Sequence, residues 1–281
     1  MSDLNAINEA LNKRAGRRLI PSILVGLFLV GIVFATMALA RPLFAIFVTG
    51  AVLLALRELS AALIAHGTRV RFPLLAIGTI GLQAGAWFGG LPGLAISLVV
   101  STIAILVREL LAGTTGFVRN ASASAFALFY PGFVAGFILL LARSGDGYAY
   151  IVTLLFIVGM NDTFAYLTGL LIGRHPMAPQ ISPKKTWEGL IGGFVATVLA
   201  TALTFHYLLE RDYLLGALAG ALGVLAATAG DLIESAIKRD LSLKDMGTLL
   251  PGHGGMLDRL DSALITAPIF WCVIELLKRF G

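Results

Sequence analysis

"YIVTLLFIVGMNDTFAYLTGLLI", residues 150–172, is a run of 23 residues with one formal charge, Asp162. A helix rising about 1.5 Å per residue needs about 20 apolar residues to cross about 30 Å of hydrocarbon, so this stretch predicts a transmembrane helix. Its apolar residues are continuous, whereas the strand of a membrane barrel alternates. An ionised carboxylate facing lipid is costly, so Asn161 and Asp162 have to face a wet cavity or a partner group.

Eight further runs have the same character. Together they predict spans at 19–40, 42–56, 74–90, 94–107, 121–142, 150–172, 187–209, 214–230 and 260–277. The chain as a whole is 58% apolar and only 13% charged, with a mean hydropathy of +0.89, against roughly 25% charge in a soluble domain. The expected fold is therefore all-α: a polytopic integral membrane helical bundle of about nine transmembrane helices. The polar stretches 1–18 and 238–258 are too short to bury a core of their own. The chain is read as one membrane domain, with helices 1 to 5 (1–148) as scaffold and lipid contact and helices 6 to 9 (149–281) carrying the chemistry.

Nine spans place the N-terminus and the loops after even-numbered helices on one side. That side holds sixteen of the 21 Lys and Arg residues, and only Arg41, Arg143, Arg211, Lys278 and Arg279 fall on the other. The positive-inside rule puts the sixteen in the cytoplasm; an eight-span arrangement loses the split. The net charge of +5 is thus read as membrane topology and not as a nucleic-acid surface. Lys13, Arg14, Arg17 and Arg18 precede an apolar run too long for a signal-peptide core of about 7 to 15 residues, which reads as an uncleaved anchor. The single cysteine, Cys272, excludes an intrachain disulfide and reads as a small buried apolar residue. Glycines four apart, at 169 and 173, 189 and 193, and 216 and 220, let helix backbones approach closely; packing inside one bundle accounts for them, and a homodimer stays open.

Polarity is uneven along the chain. Charges in the first half sit in short segments such as Arg57-Glu58 and Arg108-Glu109, where headgroup contact or topology is sufficient explanation. In the second half they lie at or inside helices. Asp231, Glu234, Ser235 and Lys238 recur at i, i+3, i+4 and i+7 and share one helical face, and Asp258 and Asp261 share another across one turn. Acids converging from two helices without a His or Cys cluster make a hard-oxygen site suited to Mg²⁺. Lys238, Arg239, Lys244 and Arg259 are interleaved with those acids, and Ser182-Pro183-Lys184-Lys185-Thr186 adds two lysines on the same side. Such a mixture suits a metal-bound polyphosphate better than a bare cation path. Taken singly, Lys238-Arg239 also reads as a topology belt, Asp258-Arg259 as a local ion pair, and Thr186 with Glu188 as the cap of the seventh helix.

The run Ser235-Ala-Ile-Lys238-Arg239, then Lys244-Asp245-Met-Gly247, then Leu250-Pro251-Gly-His253-Gly254-Gly255-Met-Leu-Asp258-Arg259-Leu-Asp261 resembles the signature of the phosphatidate cytidylyltransferases, the CDP-diacylglycerol synthases. "SPKKTWEG" (182–189) and "NDTFAYLTG" (161–169) also look like segments of that family. The resemblance implies a membrane enzyme that joins CTP and phosphatidic acid using Mg²⁺, and it leaves room for K⁺ in the same site. It implies metal carboxylates at Asp231, Asp258 and Asp261, and phosphate-holding cations at Lys238, Arg239, Lys244 and Arg259. Asn161, Asp162, Ser182, Lys184, Lys185, Thr186, Glu234, Ser235, Asp245, His253, Gly254 and Gly255 are the expected substrate-binding positions. The expected location is the inner membrane, with the N-terminus and site facing the cytoplasm. The rivals are a CTP-dependent polyprenol kinase, disfavoured by the His253 loop, and a cation-coupled transporter using Asp162 and Asp231.

Overall fold

Helix boundaries in this chain follow its prolines and glycines. A computed structural model describes residues 19–247 and 254–280. The first helix, α1 (Leu19–Leu39), gives way after Ala40 to α2 (Arg41–Ala65), whose Pro42 lies in the first turn, where a missing N–H leaves no bond unmade. α2 runs well past the predicted end at residue 56 and carries Arg57, Glu58 and Ser60 inside the helix.

The next element, α3 (Phe72–Leu111), has 40 residues and breaks at Gly90, where φ is 66° and ψ is −152°. A Cβ on Gly85 would lie 2.5 Å from the Gly93 carbonyl oxygen, and one on Gly78 would lie 3.1 Å from Ser101 Oγ. Residues eight apart in a straight helix are separated by about 12 Å, so α3 is a hairpin of two antiparallel arms, 72–89 and 91–111. α4 (Phe117–Arg143) follows and contains a wide π-helical turn, Leu128–Phe133, around Pro131. The side chain of Gln83 donates to the Gly132 carbonyl at 2.7 Å and satisfies one of the acceptors this turn loosens.

α5 (Gly147–Ile172) leads into an antiparallel hairpin of β1 (Pro176–Ala178) and β2 (Ser182–Thr186), then α6 (Trp187–Leu209), α7 (Tyr213–Asp240) and α8 (Leu257–Phe280). The hairpin departs from a purely helical expectation: "SPKKT" is a strand that ends in the cap of α6. Thr186 does cap that helix, its Oγ1 accepting from Gly189 N at 3.1 Å.

Among the described residues seven helices have the length and apolar character to cross a membrane. Counting the two arms of α3 separately, and adding α1 with its 21 residues, gives nine apolar segments. Their loops collect at two ends. Arg41 donates to the carbonyls of Ser144 (2.7 Å) and Gly145 (2.9 Å), and the Arg143 guanidinium lies against Gly90, so the α1–α2 junction, the α3 turn and the α4–α5 loop meet. At the opposite end Arg69 N donates to Asn120 Oδ1 at 3.0 Å, joining the α2–α3 loop to the start of α4.

The interior is continuous from α2 to α8, with Leu56, Leu75, Leu139, Ile157, Phe205, Leu264 and Phe270 fully buried. The small-residue pairs act within the chain: a Cβ on Gly189 would lie 2.7 Å from the Ala165 carbonyl oxygen of α5, and one on Gly216 would lie 2.8 Å from the Thr201 carbonyl oxygen of α6. Large apolar side chains such as Phe88, Leu111 and Leu171 are exposed on the outside, as a lipid-facing surface requires. Cys272 is exposed among them, which corrects the expectation of burial: on a membrane helix an apolar thiol is as well solvated by lipid as by protein.

Candidate active site

The site is built on the last turns of α7. Lys238 sits one turn beyond Glu234, and the two side chains form an ion pair while the same ammonium donates to Asp258 Oδ1 of α8 at 2.9 Å. Glu234 has no exposed side-chain surface and Asp258 only 6%, so a single lysine is shared by two acids in the seam between the helices. The other oxygen of Asp258 accepts from Gly255 N at 2.6 Å and Met246 N at 3.1 Å, which ties both ends of the intervening loop to the first turn of α8. Gly254 has a φ of +76°, and a Cβ there would come within 2.6 Å of Asp258 Oδ2; both facts require glycine.

The opposite wall comes from α5, the β-hairpin and α6. Asn161 Nδ2 donates to Asp162 Oδ1 at 3.4 Å on α5. Glu188, in the first turn of α6, accepts from Arg174 N and His175 N at 3.1 and 3.2 Å and lies 2.5 Å from His175 Nδ1, so it fixes the base of the hairpin. From β2, Lys185 Nζ reaches across to Asp231 Oδ2 of α7 at 2.5 Å. Arg239 Nε donates to the Ile181 carbonyl at 3.2 Å and clamps the hairpin from the α7 side.

Between these walls is a cavity of about 680 Å³. Of the expected site residues, Asn161, Asp162, Lys184, Lys185, Thr186, Asp231, Lys238, Asp245, Asp258, Arg259 and Asp261 line it. Asp162, Asp231 and Asp261 lie within electrostatic reach of one another. Ser235 stands behind Asp231, its Oγ 3.5 Å from Oδ1. Ser182, Glu234, Arg239, Lys244, Gly254 and Gly255 do not line the cavity. Glu234 supports Lys238, Arg239 holds the hairpin, Gly254 and Gly255 shape the loop, and Lys244 is exposed beside it. His253 lies outside the described residues.

Two of the expected roles meet a specific geometry. Lys238 lines the cavity while paired with two carboxylates, Glu234 and Asp258. Asp231, Asp258 and Asp261 border one cavity, yet among the described residues no three His, Cys, Asp or Glu side chains meet at metal-ligand spacing. The reason is local: Asp258 is turned onto Lys238 and the loop amides, and Asp231 onto Lys185.

The sequence profile of the cytidylyltransferase family matches residues 21–277. The chain belongs to that family. It is 38% identical over 284 residues to a phosphatidate cytidylyltransferase of Mycobacterium leprae, covering 94% of this chain and 90% of the relative. A phosphatidate cytidylyltransferase of Mycobacterium tuberculosis is 38% identical over 283 residues, 94% of this chain and 84% of its own. A more distant relative, the chloroplastic phosphatidate cytidylyltransferase 4 of Arabidopsis thaliana, is 36% identical over 69% of this chain and 56% of its own.

In this member of the cytidylyltransferase family, residues that sequence reasoning passed over also border the cavity or contact its loop. Tyr166 and Thr228 line the cavity beside Asp162 and Asp231. Glu58 of α2 accepts from Met256 N (through Oε1) and Leu257 N (through Oε2), each at 2.9 Å, at the start of α8. No spacing could reveal that contact, because the partners are 198 and 199 residues apart.

Proposed function

We propose that the chain transfers CMP from CTP to phosphatidic acid, forming CDP-diacylglycerol and pyrophosphate. The observation that carries this reading is a single cavity where Asp162, Asp231 and Asp261 share the walls with Lys184, Lys185 and Arg259. Acids without cations suit a metal alone, and cations without acids suit a phosphate alone; both together suit a triphosphate with its metal. The named relatives support phosphatidate as the acceptor.

In the proposed reaction an ionised phosphate oxygen of phosphatidate attacks the α-phosphorus of CTP. A new P–O bond forms, the bond from that phosphorus to the β-bridging oxygen breaks, and pyrophosphate leaves with the electron pair. The nucleophile is ionised at neutral pH, so no protein base is required, and positioning with charge neutralisation is the main contribution. Lys184, Lys185 and Arg259 are assigned to the phosphates. Lys185 exchanges Asp231 for phosphate as the nucleotide enters. Lys238 keeps α7 and α8 in register.

The donor set is all oxygen, which fits a hard divalent cation such as Mg²⁺. Asp231, Asp258 and Asp261 are the residues that would hold it, with K⁺ as a further candidate. Held by these carboxylates, such an ion would supply positive charge to offset the negative charge developing on the leaving group. The clustering of Lys and Arg at the site end supports a cytoplasmic orientation in an inner membrane.

The test uses purified protein in detergent with CTP labelled at the α-phosphate or the γ-phosphate, phosphatidic acid and Mg²⁺, with a chelator control. The expected products are α-labelled CDP-diacylglycerol and γ-labelled pyrophosphate, both lost with chelator. Release of CDP with γ-label in the lipid assigns a kinase instead.

A further inference from the structure

Among the described residues, Glu58 is the acid from the first half of the chain that bonds to the loop carrying the site. Its carboxylate accepts from Met256 N and Leu257 N, two donors at the α8 N-terminus that no intrahelical carbonyl can satisfy. It is also enclosed by glycines. A Cβ on Gly247 would lie 2.5 Å from Glu58 Oε1, and a Cβ on Gly255 would fall on Oε2. Neither glycine has a positive φ. Their backbone conformation therefore admits alanine, and Glu58 is what excludes a side chain at both places. The loop closes around this carboxylate on one side and around Asp258 on the other, since Asp258 Oδ2 takes the amides of Gly255 and Met246.

We infer that Glu58 is a positioning residue for the transfer reaction: it sets the rotation and height of α8, and with them the directions of Asp258 and Asp261 into the cavity. The connection is short. Leu257 N, held by Glu58, belongs to the residue before Asp258, and Gly255 N, held by Asp258, belongs to the residue before Met256, whose amide Glu58 also holds. The two carboxylates thus grip three consecutive amides of one turn, Asp258 the first and Glu58 the next two. Releasing one lets the turn rotate about the other, and a carboxylate displaced by about 1 Å from its working position is expected to lose about 10²-fold in rate. A helix read as scaffold and lipid contact becomes part of the machinery that orders the site.

This inference rests on the CMP-transfer reading for its activity arm, so the experiment has a second arm that does not. Glu58→Gln and Glu58→Ala are compared with the wild type for CMP transfer and for amide hydrogen exchange over residues 254–262. The expected result is faster exchange in that segment, kcat lowered about 10- to 100-fold, and a KM for CTP within about threefold of wild type. Gly255→Ala is expected to be similarly impaired, because its Cβ displaces Glu58. Combined with Glu58→Ala it should add little further loss, as expected of two groups in contact. Unchanged exchange, or faster exchange with unchanged kcat, overturns the inference. So does Gly255→Ala adding its full loss to Glu58→Ala. A wild type that makes no CDP-diacylglycerol refutes the CMP-transfer reading instead, and the exchange arm still decides whether Glu58 holds the turn.

Discussion

Lys238 shows how much rests on one side chain. Its ammonium is the only cation paired with Glu234 and Asp258 among the ion pairs of the described residues, and the two carboxylates are 0% and 6% exposed. Removing one partner from a buried ion pair costs about 3–5 kcal/mol, because the charges left behind remain desolvated. Lys238→Met is therefore expected to lower thermal stability in detergent markedly, and Glu234→Gln in that background should recover part of the loss by removing one stranded charge. Lys185 offers the contrast: its pair with Asp231 is 23% and 34% exposed, so Lys185→Met should shift stability by about 1 kcal/mol or less and act mainly on the KM for CTP. Calorimetry or fluorescence melting with initial rates separates the two cases, and equal destabilisation by both substitutions contradicts the argument. The shared face of Asp231, Glu234, Ser235 and Lys238 was legible in the sequence because helical spacing fixes directions. Which groups those directions meet was not legible, since Asp258 and Glu58 arrive from other helices and their placement depends on tertiary packing.

At the scale of elements, hydropathy located the membrane segments but not their ends. α2 continues to Ala65 because Glu58, which looks like a boundary charge in the sequence, finds its partners inside the protein. The break between the two arms of α3 was legible, since Gly89, Gly90 and Pro92 interrupt an apolar run; the closeness of the arms was not. That closeness makes Gly90 critical. Its φ of 66° is strained for any residue with a Cβ, and the space a Cβ needs is taken by the Arg143 guanidinium. Gly90→Ala should cost about 1–3 kcal/mol. Gly81→Ala is the control, in the same hairpin with open space where its Cβ would go, and should be neutral or stabilising by up to about 1 kcal/mol. Thermal unfolding of the pair in one detergent checks this, and equal melting temperatures for the two variants would show that the turn is not under the constraint described.

For the molecule as a whole, the cation distribution and the loop contacts lead to the same topology by independent routes. The sequence argument separates sixteen cations from five by counting spans. The structure separates members of the two groups by contact: Arg41 with Ser144 and Gly145, Arg143 with Gly90, and Arg211 and Lys278 beside Asp146 at one end, with Lys184, Lys185, Lys238 and Arg259 around the cavity at the other. The agreement requires α3 to cross twice, because counting it once as a 40-residue helix would put Arg41 on the opposite side from Ser144 and Gly145, whose carbonyls it holds. This yields a direct measurement. In a Cys272→Ser background, single cysteines at Gly113 and Gly145 are placed in sealed inside-out and right-side-out vesicles with a membrane-impermeant maleimide. Gly113→Cys, in the loop after the second arm, should react only when the cytoplasmic face is exposed; Gly145→Cys, in the α4–α5 loop, should react only from the other face. If both react from the same side, α4 does not cross between them. If their sides are exchanged, the cavity faces away from the compartment that holds nucleotides, and the CTP-dependent reading loses its supply of substrate.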